Sequence, residues 1–432
     1  MNDMYKKMEE KFTIIYPNNG NATYKSLMNY SDDLEKPFQR WYRYKEGFSV
    51  DLVKNLIKEF SRNSSGIILD PFVGSGTTFI AASELGFKSI GFEVNPFSNF
   101  LSKLKIHDYT NYELDEFTSA YLEILNQVKI KGNEYPLPQL SFSDRVFKQE
   151  IQQYFMKVKQ LISQREYINA STRDLLMLGW LACLEEISNY RKAGNGLKKR
   201  KYKVVIIITI DDVRGKLLNQ YSSMTEDIQE NRINFDSVLN KITSLEMRNI
   251  LSRNSIEGII FSPPYANCFD YTEIYKLELW FGDFVKSYSD LRDLRKKSIR
   301  SHLGADLDFT PNDEYKNKSL EVLLNRLSEK ELWDHKIPKM LLGYFEDMFN
   351  IIGQSFDLLN HGGFCNIIVG NSAYGGVIFP TDLLFAEYAE KIGFVVEKIE
   401  IDRYLITSSQ QYRKTIEDRN LLRESIVCLR KR

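Results

Sequence analysis

Two short segments of this chain carry the residue types that chemistry at a cleft needs. The first reads Leu69-Asp70-Pro71-Phe72-Val73-Gly74-Ser75-Gly76-Thr77-Thr78. Two glycines in one turn let a ligand come close to the backbone N–H groups at a helix start. Asp70 ends an apolar run, where a carboxylate can hold an ammonium group. Glu93 ends the next apolar run, where an acid can accept bonds from ribose hydroxyls. The turn is not the dinucleotide fingerprint, because Thr78 and Phe79 fall where the third glycine would stand, and no Gly-Lys-Ser/Thr of a phosphate loop follows. By itself it would serve as a tight turn in any α/β protein.

The second segment is Ser262-Pro263-Pro264-Tyr265. Consecutive prolines restrict the backbone and remove two N–H donors. The local groups that remain are acceptors, the Ser262 hydroxyl and the Pro263 carbonyl, which suit a substrate bearing an –NH2 group. Tyr265 adds a flat face on which a base can stack. By itself this segment is as readily a proline turn with a packed tyrosine.

The elements needed to hold these segments can be read around them. Ser49 caps a predicted helix to Phe60, with Val50, Leu52, Val53, Leu56 and Ile57 as its apolar stripe. Gly66–Asp70 is a buried strand, Thr77–Leu85 a helix and Lys88–Glu93 a second strand, which makes a right-handed parallel βαβ unit. From about 105 to 220 the rhythm breaks into helical stretches with one aliphatic strand at 204–210. Further predicted strands are Arg232–Asp236, Glu257–Phe261, Phe364–Val369, Val395–Ile401 and Glu424–Leu429. Predicted helices are Ile274–Phe284, Leu341–Leu359 (closed by His361-Gly362-Gly363) and Leu383–Ile392. The aromatics Tyr275, Trp280 and Phe281 read as core. Residues 1–37 read as irregular.

Composition narrows the class. Of 432 residues, 43% are hydrophobic, enough for a substantial core and against global disorder. The longest aliphatic run, Val204–Ile208, is far short of a bilayer span, and Met1–Phe12 has no apolar signal core, so a cytoplasmic protein without a membrane anchor is expected. Neither the cysteines (Cys183, Cys268, Cys365, Cys428) nor the histidines cluster, so no metal site is expected and the thiols read as reduced and mostly buried. Lys+Arg and Asp+Glu balance at 58 each, yet basic residues gather in Arg191–Lys203 and Arg292–Arg300. Such runs are solvated faces or phosphate contacts.

Together the two segments resemble the DNA amino-methyltransferases, which methylate cytosine N4 or adenine N6. That family's D-P-F-x-G-S-G-T-T cofactor loop and S/D/N-P-P-Y catalytic loop both stand here nearly verbatim. Arg40-Trp-Tyr-Arg-Tyr-Lys-Glu-Gly-Phe48-Ser49 looks like the segment that contacts the methionine end of the cofactor. Gly91-Phe-Glu93-Val-Asn95-Pro96 looks like the ribose-binding segment, and Asp236 matches the acidic residue near the adenine. The resemblance spans about 38–105 and 230–432.

The resemblance implies an α/β, Rossmann-like S-adenosylmethionine-dependent methyltransferase fold with a largely helical insertion. Residues 1–37 would be an N-terminal extension, 38–105 and 226–432 the catalytic domain, and 106–225 the insertion, a candidate for target recognition beside the alternative 285–340. The implied cofactor is S-adenosyl-L-methionine, held by Phe48, Ser49, Asp70, Pro71, Phe72, Gly74, Ser75, Gly76, Thr77, Thr78, Glu93, Asn95 and Asp236. The implied catalytic residues are Ser262, Pro263, Pro264 and Tyr265, and the implied partner is double-stranded DNA. Serine at the first loop position is typical of the cytosine-N4 branch, and Cys268 is not placed as the nucleophile of cytosine-C5 enzymes. A cognate restriction endonuclease would be separately encoded, since nothing here looks like a nuclease. Adenine N6, an RNA amine, or a non-catalytic DNA-binding subunit retaining the fold are the alternatives.

Overall fold

Short runs between turns, most of them apolar, build the strands: β1 (Ile14–Ile15), β2 (Ile67–Asp70), β3 (Lys88–Phe92), β4 (Tyr190–Ala193), β5 (Gly196–Lys199), β6 (Ser237–Asn240), β7 (Ile256–Phe261), β8 (Leu359–Gly370), β9 (Ser372–Tyr374), β10 (Val377–Phe379), β11 (Phe394–Tyr404) and β12 (Arg423–Lys431). They are seen in a computed structural model that describes residues 3–17, 33–45, 47–63, 65–129, 136–194, 196–200, 208–231, 235–405 and 415–432. Eight of these strands form one sheet in the order β1-β11-β12-β8-β7-β2-β3-β6. β2 runs parallel to β3 and β7, β7 to β8, and β3 to β6, whereas β12 is antiparallel to both β8 and β11. From β2 the chain steps outward through β3, and from β7 it steps the other way to β8. The crevice between β2 and β7 is therefore the reversal point at which open α/β sheets take ligands. Every residue of β7 is buried, as a strand covered on both faces requires.

Helices cover the two faces. Val50–Phe60 starts where the Ser49 hydroxyl accepts the Leu52 N–H (3.1 Å), and its apolar stripe packs on one face with Ile68 and Phe364. Ile337–Leu358 and Thr381–Lys391 cover the other face with Leu69, Ile259 and Ile367. This is the Rossmann-like α/β architecture that the sequence predicts. Among the described residues no helix is long and apolar enough to cross a membrane. All four cysteines are free thiols, three of them buried.

Several local expectations are corrected. The start of the chain is ordered where it was expected to be irregular: helix Asp3–Glu9 buries Tyr5 and Met8, and β1 joins the sheet edge beside β11. The Tyr5 hydroxyl donates to the Ile378 carbonyl (2.9 Å), a contact with no local signal. The expected strand 204–210 ends in a helix instead: Thr209 caps Ile210–Glu230 in a reciprocal capping box with Asp212, while 204–207 lie outside the described residues. The cap signature, Thr209-x-x-Asp212, outweighs the aliphatic run. The strand expected at 232–236 is Ser237–Asn240, with 232–234 outside the described residues. His361–Gly363 lie within β8 rather than closing a helix, and Ile274–Phe284 divides into helices Tyr271–Ile274 and Lys276–Phe281. Tyr275, Trp280 and Phe281 are fully buried, in accord with their core reading.

The described residues of the region 106–225 are mostly helical (Asn111–Gln127, Gln149–Ser163, Ala170–Ala182 and Ile210–Glu230, which runs a few residues beyond it, are the longer helices). They do not form a core of their own. Phe117, Trp180 and Tyr221 share one hydrophobic cluster with Trp41, Phe97 and Tyr275. A polar hub locks the same joint. The buried carboxylate of Asp227 accepts from the Phe38 N–H (2.9 Å), the Trp41 indole (2.9 Å) and two nitrogens of Arg40 (2.9 and 2.6 Å). Asp227→Ala leaves the Phe38 and Trp41 donors unmatched, while Arg40 keeps Glu226 and the Ser223 carbonyl, and the loss should be about 2–4 kcal/mol. Urea unfolding should show that loss in a single transition for the whole chain. A loss under about 1 kcal/mol, or separate unfolding of the helical segment, would show that the hub does not join the two.

Candidate active site

Parallel strands deliver their C-terminal ends to one edge, so the glycine turn after β2, Glu93 after β3 and the proline loop after β7 face a common cleft. Its empty space, with the open solvent at its mouth, is about 950 Å³. Of the residues expected to hold the cofactor, Phe48, Pro71, Phe72, Gly74, Ser75, Thr77, Glu93 and Asn95 line it, together with Ser262 and Pro264.

Four others stand behind the wall. Ser49 caps its helix, and Gly76 caps Thr77–Glu84 in a left-handed conformation (φ +85°). Asp70 is fully buried and spends its oxygens inside the turn, one on the Phe72 N–H (2.8 Å) and one on the Thr78 hydroxyl (2.6 Å). It braces the loop and is not placed to hold an ammonium group, as the sequence reading expected. Asp236 is a clear misplacement. It lies at the N-terminal end of β6, exposed and paired with Lys88 (2.8 Å), at the opposite edge of the sheet from the cleft. The corresponding wall is made by Ile242, Thr243 and Ser244, which follow β6.

The glycine turn is tightly framed. Gly74 has φ +54°, and a Cβ there would meet the Tyr44 ring at 3.3 Å. The Glu93 carboxylate accepts from the Gly74 N–H (2.9 Å) and the Asn95 N–H (2.7 Å), so it is fixed at the wall. The Asn95 side-chain oxygen caps helix Pro96–Lys105 through the Phe97 N–H (3.0 Å). Its Nδ2 is buried with no partner among the described residues. An anchored acceptor, an unmatched donor and apolar walls at Phe72, Phe92 and Ile242 fit a nucleoside such as that of S-adenosylmethionine.

The far wall belongs to neither motif: Asp270, Tyr271 and Thr272 with Leu294, Lys297, Ser298, Ile299, Ser301 and His302, part of it within the basic run 292–300. Arg295 ties it together by donating to Asp270 (2.8 Å) and Thr272 (2.9 Å), and burial pushes the His302 pKa down. Tyr44 and Gly47 also line the cleft, within the segment singled out before Phe48.

A second, smaller slot shares Gly47, Phe48, Ser262 and Tyr271 with the cleft and is completed by Pro263, Tyr265, Asn267, Phe269, Ile368, Arg403 and Glu424. Phe48, Tyr265, Phe269 and Tyr271 give it aromatic walls beside polar Ser262, Asn267, Arg403 and Glu424. Gly370 lets the Tyr265 ring lie against β8, since a Cβ there would meet the ring at 2.8 Å. The Tyr265 hydroxyl donates to Glu424 (2.6 Å), and the Ser262 hydroxyl donates to the Tyr265 oxygen (3.3 Å). Burial pushes the Tyr265 pKa well above that of a free phenol.

The two basic runs flank this region, but only some of their residues are free to meet an anion. Hairpin β4–β5 and helix Tyr288–Lys296 both touch helix Tyr271–Ile274. Arg191, Lys198, Lys199, Arg292, Lys296 and Lys297 are exposed. Lys192 is instead turned inward onto Glu278 (2.7 Å), and Arg300 is paired with Asp347.

With this geometry in place, comparison with known proteins gives a consistent picture. The DNA methylase family matches over residues 3–100. The chain is 31% identical to the Type II methyltransferase M.BsoBI of Geobacillus stearothermophilus, over 98% of this chain and 91% of that protein. It is 29% identical to the Type II methyltransferase M.AvaI of Nostoc sp., over 87% of this chain and 83% of that protein. It is 22% identical to the Type II methyltransferase M.MvaI of Kocuria varians, over 79% of each. The similarity to M.BsoBI thus takes in both the N-terminal segment and the helical region that the motif resemblance left out.

Burial raises Asp70 from 3.8 and Glu93 from 4.5, each to about 7. Between those limits the folded chain holds protons that the unfolded chain has released, so these groups make the free protein less stable as pH rises from about 4 to 7. Binding a nucleoside through Glu93 as an acceptor needs the ionised form. S-Adenosylmethionine affinity should therefore weaken as pH falls below about 7, by up to tenfold per unit. Titration calorimetry from pH 5.5 to 8.5 tests this, and Glu93→Gln should bind more weakly and flatten the profile. An unchanged profile in Glu93→Gln would remove Glu93 from the binding step.

Proposed function

The chain belongs to the DNA amino-methyltransferase family, and within it we propose that it transfers a methyl group from S-adenosylmethionine to the exocyclic N4 amine of cytosine in duplex DNA. The observation that carries the cytosine assignment is Ser262 at the first position of the proline loop, with its hydroxyl where the cleft and the aromatic slot meet. The enzymes of this family use S-adenosylmethionine, and bound here it supplies an electrophilic methyl group on a positively charged sulfur. Glu93, Asn95 and the Gly74–Thr77 turn would hold it, with Asp70 and Thr78 bracing that turn from behind.

The amine of cytosine is a poor nucleophile because its lone pair is delocalised into the ring. Ser262 and the Pro263 carbonyl present two acceptors for its two N–H groups. Bonding both favours a pyramidal nitrogen whose lone pair is freed for attack. Orientation of this kind offers roughly 7–11 kcal/mol in principle. The nitrogen's surplus proton then leaves to Ser262 or to water. The base must leave the duplex stack to reach the slot, at a cost of a few kcal/mol. Stacking on Tyr265 returns about 1–3 kcal/mol of it. The exposed cations of the two basic runs are the candidate phosphate contacts, and the helical region 106–225 the candidate for target recognition. Similarity to Type II methyltransferases supports a role beside a separately encoded restriction endonuclease.

The test is to incubate the protein with S-adenosylmethionine and unmodified duplex DNA and identify the methylated nucleoside by mass spectrometry. N4-methylcytosine is expected, and Ser262→Ala should lower its yield at least about a hundredfold. N6-methyladenine would keep the fold and cofactor and overturn the cytosine assignment.

A further inference from the structure

Resting on the amine-methylation reading, we propose that Glu424 is a positioning residue that fixes the direction of a hydrogen-bond chain, so that Ser262 meets the substrate only as an acceptor. Glu424 is the second residue of β12, which runs antiparallel to β8 and so brings its first residues to the edge where β7 ends. It pairs across the sheet with Gly370 on one side and Arg403 on the other. An irregularity in β11 between Ile401 and Arg403 shifts the register there. Such a bulge re-aims a side chain, and Arg403 Nε here donates to the Glu424 carboxylate. The Glu424 side chain is only 6% exposed.

The inventory of hydrogens then decides the rest. An ionised carboxylate held by a guanidinium has only lone pairs to offer. Tyr265 must therefore point its one hydrogen at Glu424 (2.6 Å). With that hydrogen used, the Tyr265 oxygen can only accept, and it takes the hydrogen of Ser262 (3.3 Å). Ser262 is left with lone pairs alone for whatever enters the slot. Every link runs the same way: substrate N–H to Ser262, to Tyr265, to Glu424. A free serine rotor could donate as readily as accept. A fixed one selects a base that presents an amine at this position and disfavours one that presents a carbonyl oxygen, because two acceptors would then face each other.

Tyr265→Phe removes one link and leaves the Arg403–Glu424 pair intact, so it is the primary variant; Glu424→Gln, whose amide can either donate or accept, is the second. Single-turnover methyl transfer to DNA, S-adenosylmethionine affinity by calorimetry and thermal midpoint are measured for each. Tyr265→Phe should slow transfer about tenfold, the worth of one hydrogen bond, with cofactor affinity unchanged and the midpoint lowered by only a few degrees, since Glu424 keeps Arg403. Ser262→Ala combined with Tyr265→Phe should be no slower than Ser262→Ala alone, since the chain acts only through Ser262. Wild-type transfer rates in Tyr265→Phe, or additive losses in the double variant, would overturn the chain while leaving amine methylation in place. A wild-type protein that methylates no amine of DNA would overturn both.

Discussion

Pairing of β2 with β7, through Ile68 beside Gly258 and Leu69 beside Ile259, brings the glycine turn and the proline loop to one crevice although they are far apart in sequence. The pairing depends on close packing across the sheet. A Cβ on Gly258 would meet the Phe364 ring at 2.2 Å, and one on Gly91 would meet Val73 at 2.1 Å and Phe79 at 2.7 Å. These two glycines leave the room in which neighbouring side chains cross the strands. Because every strand of this central set points the same way, each ends at the same edge. A loop on β2 and a loop on β7 are then neighbours by topology alone.

Hydrogen-bond partners and access to the cleft, rather than desolvation, separate two carboxylates at strand ends. Asp70 and Glu93 each end a strand, and burial raises both to about 7. Asp70 answers its burial with two donors from its own turn, which makes it structural. Glu93 is held by two backbone N–H groups at the wall of the cleft and keeps capacity for a ligand.

Buried charges join the helical region to the sheet. Lys192, from a run that reads as a solvated face or a set of phosphate contacts, sits over the Tyr42 and Tyr275 rings and pairs with Glu278. Lys159 reaches the Phe281 carbonyl (2.6 Å) and Asp283. Lys105 bonds Gln39 (3.2 Å), and burial lowers its pKa to about 7. At the other end, fully buried Arg423 joins Asp382 (2.7 Å) and Glu9, which holds the first helix against β12. Pairs of this kind add little net stability over apolar packing, but an unpaired member is costly, so they specify one arrangement of the segments.

The sequence by itself determined the features that depend on neighbouring residues. The Ser49 cap, the β2–turn–helix–β3 unit and the acceptor-rich loop at Ser262 follow from local rules of backbone and side chain. So do β7, β8, β11 and β12, apart from their exact ends, whereas the short strands β9 and β10 were not foreseen. It misjudged what depends on burial and on partners far along the chain. Asp236 had the right residue type but stands at the wrong end of its strand, and Asp70 had the right position but faces inward. Lys192 had the right charge but is turned onto Glu278. Only tertiary structure could bring Arg403 and Glu424 to Tyr265, or raise a far wall from residues 270–302. Strand direction and register decide which ends meet, and burial decides which charges remain free. Both are set by packing across the whole sheet, and a linear reading of neighbours does not contain them.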